Sequence, residues 1–409
     1  MLKLSVIPGG VCAPKGFKAG GIHCGIRGNK SKNDLSLIVS DVPCSAAAVY
    51  TQNKVKGAPI AVTKRNIADG KAQAIVCNSG NANTCNADGI EIAEKMCALA
   101  ADATGLKPED FVIGSTGVIG QPLPIAPIAA GLPPLAAQLS YEADGSDAAA
   151  WGIMTTDTVK KEYSVSFTIG GKACAMGAIA KGSGMIHPNM ATMLGFITTD
   201  AAISPAMLQK VLSEDIIDTF NMISVDGDTS TNDTVAILAN GMAGNPEITG
   251  PGVDYDAFAE TLHYITVSLS KGIAADGEGA SKLLECHVTG APDKAAARIV
   301  AKSVITSSLF KAAMFGEDAN WGRVLCAIGY APAEFDIEKA GVILSSEKGS
   351  VEVCQNGAGV PFSEETASTV LSAKEIVISI TLGDGDGEAT AWGCDLTYDY
   401  VKINGDYRT

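Results

Sequence analysis

Breaking and remaking an amide takes a hydroxyl and a base to deprotonate it, and Thr192 is placed to supply both. It follows Lys181-Gly182-Ser183-Gly184-Met185-Ile186-His187-Pro188-Asn189-Met190-Ala191 and precedes the apolar run Met193 to Ile197, which reads as a buried strand. A hydroxyl at a loop-to-strand junction has access to substrate on one side and a rigid support on the other, and the β-branch of threonine narrows its χ1 choices. Cutting the Ala191–Thr192 bond would free an α-amine whose ordinary pKa is about 7.7 to 8.0. Nucleophile and general base would then share one residue. Taken alone, an Ala-Thr step before a strand is more often just the start of a strand.

Other stretches carry groups that such chemistry needs. In Gly114-Ser115-Thr116-Gly117-Val118-Ile119-Gly120, three glycines and two hydroxyls let backbone N–H groups face a ligand with no Cβ in the way, as an oxyanion hole requires; a plain glycine turn is the other reading. In Asp276-Gly277-Glu278-Gly279 a carboxylate between two glycines can reach into a cleft. Lys181, beside a glycine, is either a carboxylate partner or a solvated loop lysine. The amides of Asn78-Ser79-Gly80-Asn81-Ala82-Asn83 serve either turn geometry or a ligand at the carboxyl end of a strand. The acidic loop Asp226 to Asp233 has calcium-like spacing but lacks the closing glutamate, and His23, His187, His263 and His287 have no metal-ligand spacing, so no metal is expected. His187 reads as a structural loop histidine rather than a base.

These groups need elements to hold them. Apolar runs at Leu35 to Val39, Ala46 to Tyr50, Ala72 to Cys77, Phe111 to Ile113 and Leu283 to Thr289 predict strands, with a hairpin turning at Gly170-Gly171 that delivers the chain to Lys181. Helices are predicted over 88–103, in pieces over 122–139, and over 147–156, 205–220 (capped by Ser204), 254–274 and 294–306. Gly28 to Asp34 reads as a solvated turn, and the chain beyond Val342 as rich in strands. Alternating strands and helices predict an α/β (α+β) fold, mixed sheets covered by helices.

Composition narrows the class. The 409 residues, 46% hydrophobic and 18% charged, contain no apolar run of membrane-spanning length, and the first residues resemble neither a signal nor a transit peptide; a cytoplasmic protein is expected. A formal charge of −15 argues against a nucleic-acid partner. Eleven cysteines, odd in number and without Cys-x-x-Cys spacing, read as reduced thiols. Phosphate-loop and dinucleotide patterns are absent.

The segment Lys181 to Phe196 resembles the self-cleavage region of the ornithine acetyltransferase family, the bifunctional glutamate N-acetyltransferases of arginine biosynthesis. The likeness extends through Pro14 to Phe17, Asp34 to Asp41, Cys77 to Asn83, Gly114 to Gly120, Met154 to Thr158, Asp276 to Lys282, Phe315 to Arg323 and Asn404 to Thr409. It implies a self-cleaving fold shared with the L-aminopeptidase D-esterase group, cut between Ala191 and Thr192 into an α chain of residues 1–191 and a β chain of 192–409. The active site would lie between two lobes of an α2β2 assembly. It further implies Thr192 as nucleophile and N-terminal base, Thr116 and Gly117 as the oxyanion site, and Thr155, Lys181, Thr192, Glu278, Asn404 and Thr409 as substrate contacts. The reaction would move acetyl from N-acetylornithine to glutamate by a ping-pong route, without cofactor; use of acetyl-CoA as a co-substrate stays open. Ala319 stands where the family commonly has proline, a departure that touches no catalytic assignment. The rivals are a self-cleaving aminopeptidase or amidohydrolase, in which water is the acceptor, and a non-catalytic binder of small anions.

Overall fold

The computed structural model describes residues 4–187 and 193–406. Two mixed sheets organise it. In the larger, nine-stranded among the described residues, the order is Ser5–Val6, Lys161–Ile169, Lys172–Lys181, Leu194–Thr199, Thr234–Ala239, Leu35–Tyr50, Lys71–Asn78 and Phe111–Ser115, with Phe17–Ile22 also paired to Leu35–Tyr50. The seven-stranded sheet runs Ala358–Gly359, Gly349–Gln355, Gly341–Ser346, Glu375–Thr381, Leu283–Ala291, Gly387–Cys394 and Ile223–Ser224.

The strand predicted after Thr192 is Leu194–Thr199, central in the large sheet and buried throughout. It runs antiparallel to Lys172–Lys181 and parallel to Thr234–Ala239. A strand covered on both faces needs apolar or hydrogen-bonded residues at every position, which Leu-Gly-Phe-Ile-Thr-Thr provides: the Thr198 and Thr199 hydroxyls donate to the carbonyls of Val11 and Ala175 at 2.8 and 2.7 Å. The helix Val253–Ala275 lies between the sheets, touching Lys161–Ile169 on one side and Gly387–Cys394 on the other. Its apolar face, from Tyr255 to Ile273, joins one core cluster spanning both. Helices Gly89–Thr104 and Ile125–Ala137 pack beside the large sheet in a separate cluster.

Several expectations change. The runs 35–39 and 46–50 are one bent strand, Leu35–Tyr50, whose register shifts between Val39 and Cys44; Pro43, with no N–H to offer the ladder, sits in that irregularity. Asp34 is buried rather than solvated: its carboxylate accepts the N–H groups of Cys24, Gly25 and Arg27. Burial pushes Asp34 up, but the Arg27 and Cys24 donors outweigh it and hold the group below its ordinary value. The predicted pieces over 122–139 are a single helix, with Pro133 and Pro134 on its exposed side. The helix after Ser204 stops at Asp215, and Ser204 makes no side-chain cap bond. Asn404 belongs to a helix, Tyr398–Asp406.

Phe196, buried beside Gly114 and Cys77, ties the central strand to the neighbouring core. Phe196→Ala is expected to cost about 3–5 kcal/mol, measured by denaturant unfolding; a loss below about 1 kcal/mol would show that the site can collapse around the gap.

Candidate active site

A cleft of about 160 Å³ opens where the ends of these elements meet, and Thr116, Gly117, Thr155, Lys181, Glu278 and Asn404 all line it. Four of these residues precede position 192 and two follow it. Thr192, Ala191 and Thr409 lie outside the described residues. Met193, the next residue after Thr192, is described: it lines a smaller crevice together with Thr116 and Lys181, and its carbonyl accepts the N–H of Thr234 at 3.0 Å.

Thr116 and Gly117 follow the strand Phe111–Ser115. The Thr116 N–H is taken by the carbonyl of Asn78 at 3.0 Å, so what Thr116 offers the cleft is its hydroxyl. Gly117 has φ +128°, and a Cβ there would fall 2.6 Å from the Gly80 backbone; only glycine turns the chain at this point. The amide loop beneath is spent on architecture. Asn78 Oδ1 accepts the N–H groups of Gly80 and Asn81, Asn81 Oδ1 accepts that of Asn83, and Asn83 donates to the carbonyl of Gly89. Turn chemistry thus accounts for this loop, and only Ala82 of it lines the cleft.

Lys181 ends its strand at 8% exposure. Burial lowers its pKa, Asp157 opposes that shift, and Lys161 reinforces it. Behind Lys181 lies a group of charges that the sequence alone did not reveal. The Lys161 ammonium, 2% exposed, sits 2.7 Å from Asp157 Oδ1 and 2.5 Å from Asp276 Oδ2. Asp157 also accepts the N–H of Thr155 at 2.9 Å and of Gly182 at 2.6 Å. Burial pushes Asp157 up, but Lys181, Lys161 and the Gly182 N–H hold its carboxyl well below the carboxylate range. Asp276 accepts the N–H groups of Thr158 and Val159 and the Thr158 hydroxyl. One ammonium therefore fixes the Thr155 turn, the end of the Lys181 strand and the loop that presents Glu278.

Glu278 is further placed by its own N–H, which donates to the Ser183 carbonyl at 2.8 Å, and by Asn404 Nδ2, which donates to its Oε2 at 2.8 Å. Gly184 faces it so closely that a Cβ would meet the carboxyl at 2.4 Å. Thr156 and Ser183 share a hydroxyl contact of 2.7 Å. Asn232, also missed, donates to the carbonyls of Ala82 and Ser115 and accepts from the Thr84 hydroxyl, locking a segment after position 192 onto the Thr116 loop. Its only sequence signal is an amide in an otherwise acidic and hydroxyl-rich run.

His187 does not line the cleft. Its Nδ1 lies 3.1 Å from the Ser224 hydroxyl, and burial, with Lys302 nearby, brings its pKa down to about 4. Asp226 in the acidic loop accepts the N–H groups of Met185 and Ile186, so that carboxylate anchors the loop around Lys181. No cluster of three metal-ligating side chains occurs among the described residues, and no described helix is long and apolar enough to cross a membrane.

A profile of the ArgJ family matches residues 18–409. "Arginine biosynthesis bifunctional protein ArgJ" of Symbiobacterium thermophilum is 53% identical over 405 residues, covering 98% of this chain and 99% of that protein. "Arginine biosynthesis bifunctional protein ArgJ 1" of Clostridium acetobutylicum is 50% identical over 394 residues, 96% of each. The crystal structure of arginine biosynthesis bifunctional protein argJ from Bacillus halodurans, 46% identical, superposes with a TM-score of 0.51 and covers 53% of this chain and 100% of its own.

Replacing Lys161 by Met leaves Asp157 and Asp276 buried without their shared cation. Lys161→Met is expected to lower unfolding stability by about 3–5 kcal/mol and to weaken substrate binding in the cleft that Thr155, Lys181 and Glu278 line. Stability and KM both at the wild-type level would mean that the cluster does not hold these segments.

Proposed function

The chain belongs to the ArgJ family, and from that premise we propose that it is a self-cleaving glutamate N-acetyltransferase of arginine biosynthesis. It takes the acetyl group of N2-acetyl-L-ornithine onto Thr192 and passes it to L-glutamate. The observation that carries this reading is the single cleft into which residues from both sides of position 192 project: Thr116, Gly117, Thr155 and Lys181 from before it, Glu278 and Asn404 from after it.

The first reaction is internal. The Thr192 hydroxyl attacks the carbonyl carbon of Ala191, the C–N bond gives way to an ester, and water opens the ester to leave residues 1–191 and 192–409 as two chains. The solved Bacillus halodurans chain covers 53% of this one with its whole length, equal in size to the 218 of 409 residues that a cut before Thr192 would leave in the second chain. The second reaction reuses the hydroxyl. Deprotonated by its own freed amine, Thr192 attacks the acetyl carbonyl of the donor; ornithine departs, and the acetyl ester is then aminolysed by glutamate. Covalent catalysis of this kind gives ping-pong kinetics.

Each lining residue has a chemical part in this scheme. The Thr116 hydroxyl and the Gly117 N–H stabilise the oxyanion, a donor of this type contributing about 100- to 1,000-fold. Lys181 takes a substrate carboxylate, and its burial strengthens that pairing. Glu278, whose other partner is an amide rather than a cation, takes the ornithine ammonium. Thr155, Asn404 and Thr409 orient the ligand by hydrogen bonds. Acetyl-CoA serves as a second acetyl source for glutamate, in keeping with the "bifunctional" names of the relatives. The working assembly is α2β2, in the cytoplasm, with no resident cofactor.

Two variants test the scheme. Thr192→Ala is expected to run as one uncut band on a denaturing gel and to transfer no acetyl; two fragments from that variant would remove Thr192 as the nucleophile. Glu278→Ala is expected to raise KM for N-acetylornithine at least 10-fold with an unchanged unfolding curve, and an unaltered KM would take Glu278 out of the donor site.

A further inference from the structure

Both proposed reactions break a C–N bond, and a nitrogen leaving a tetrahedral carbon needs a proton. In acetyl transfer the freed α-ammonium carries the hydroxyl's proton, but in self-cleavage no free amine yet exists; in the scheme above Lys181 is given to a substrate carboxylate, and Glu278 accepts from Asn404. Asp233 meets the requirement. It is 2% exposed, its Oδ2 has no hydrogen-bond partner among the described residues, and it lines a crevice of about 20 Å³, large enough for one water, with Thr116, Lys181, Met193 and Ser230.

Its position relative to the cut follows from the strands. Thr234, the next residue, donates its N–H to the Met193 carbonyl at 3.0 Å, and the N–H of Met193 is among the groups that interact with the Asp233 carboxyl. The carboxyl therefore lies beside Met193, the described residue that follows Thr192 in the sequence. Lys181, the cation that acts on it, is shared with Asp157. Burial pushes Asp233 well above the carboxylate range, only partly offset by the Ser230 hydroxyl, Lys181, the Thr51 hydroxyl and the Met193 N–H. The charged group that faces it is Lys181, with Asp157, Lys161 and Arg27 around that lysine.

We infer that Asp233 is the proton donor of this cleft, the acid that protonates the nitrogen departing from the acyl carbon. The inference rests on the acyl-transfer reading above. As the C–N bond breaks, its electron pair stays on nitrogen, which takes the carboxyl proton. The carboxylate recovers a proton that came from the attacking hydroxyl, directly in self-cleavage and by way of the freed α-ammonium in acetyl transfer. A neutral carboxylic acid is suited to this because it donates from one oxygen and accepts at the other.

The test turns on the leaving group. p-Nitrophenolate departs from an acetyl carbon without needing a proton, whereas ornithine does not. In single-turnover acylation, Asp233→Asn is expected to lose at least ~100-fold on N-acetylornithine relative to p-nitrophenyl acetate, the usual scale of general acid catalysis. Equal losses on both donors, or no loss on either, would overturn the inference. A second measurement needs only the wild-type protein and so can overturn the inference even where Asp233→Asn stays uncut or misfolds. Acylation by N-acetylornithine is expected to fall on the alkaline side as the acid ionises, while acylation by p-nitrophenyl acetate does not; coincident profiles would exclude Asp233. A wild-type protein that is uncut and takes acetyl from neither donor would instead sink the acyl-transfer reading itself.

Discussion

One ammonium carries the geometry of the cleft. Lys161 is held between Asp157 and Asp276, all three nearly without solvent, and each carboxylate in turn grips backbone N–H groups of a segment that lines the site. Desolvating such charges costs several kcal/mol per ion, and their attraction offsets this only when geometry and hydrogen bonding are good. Apolar residues of equal volume would hold the sheets together as well, but they could not aim Thr155, Gly182 and the Glu278 loop toward one point. The cluster is best understood as a device for position, with stability as its secondary effect.

The fold explains how segments so far apart in the chain reach that point. The central strand Leu194–Thr199 lies between Lys172–Lys181 and Thr234–Ala239, so Leu194 is paired with Lys181 on one side and with Thr234, the residue after Asp233, on the other. The helix Val253–Ala275, packed between the two sheets, ends where Asp276 and Glu278 are needed. The C-terminal helix returns Asn404 to the same place, docked by the edge-to-face pair Phe315 and Tyr398 at 5.6 Å.

Much of this was legible from residue types. The buried strand after Thr192, the glycine turn at Gly117 and the carboxylate between Gly277 and Gly279 each follow from local chemistry, and the described members of the expected site do meet in one cleft. What escaped was non-local. Lys161 and Asp276 are 115 positions apart, and nothing in either neighbourhood marks a partner. Asp233 looked like one more residue of an acidic loop, because its burial depends on two strands pairing around it. The bend in Leu35–Tyr50 was read as a break for a related reason: Asp41 to Pro43 carry turn-like side chains, while the sheet on both sides keeps the backbone extended. The amide-rich loop, open in the sequence between turn and ligand, is a turn, since its side chains are so fully engaged with one another that little remains for a ligand.

The seam around the central strand has a consequence for the lifetime of the molecule. Its ladder to Lys172–Lys181 joins what would become two polypeptides, and that ladder is buried along its length. While folded, the severed molecule would behave as one body, its fragments held by an interface as dry as any domain core. Once melted, the pieces would diffuse apart, and reassembly would become a second-order encounter that slows on dilution. A protein of this design would fold once as a single thread, and afterwards persist by the height of its unfolding barrier rather than by a reversible equilibrium.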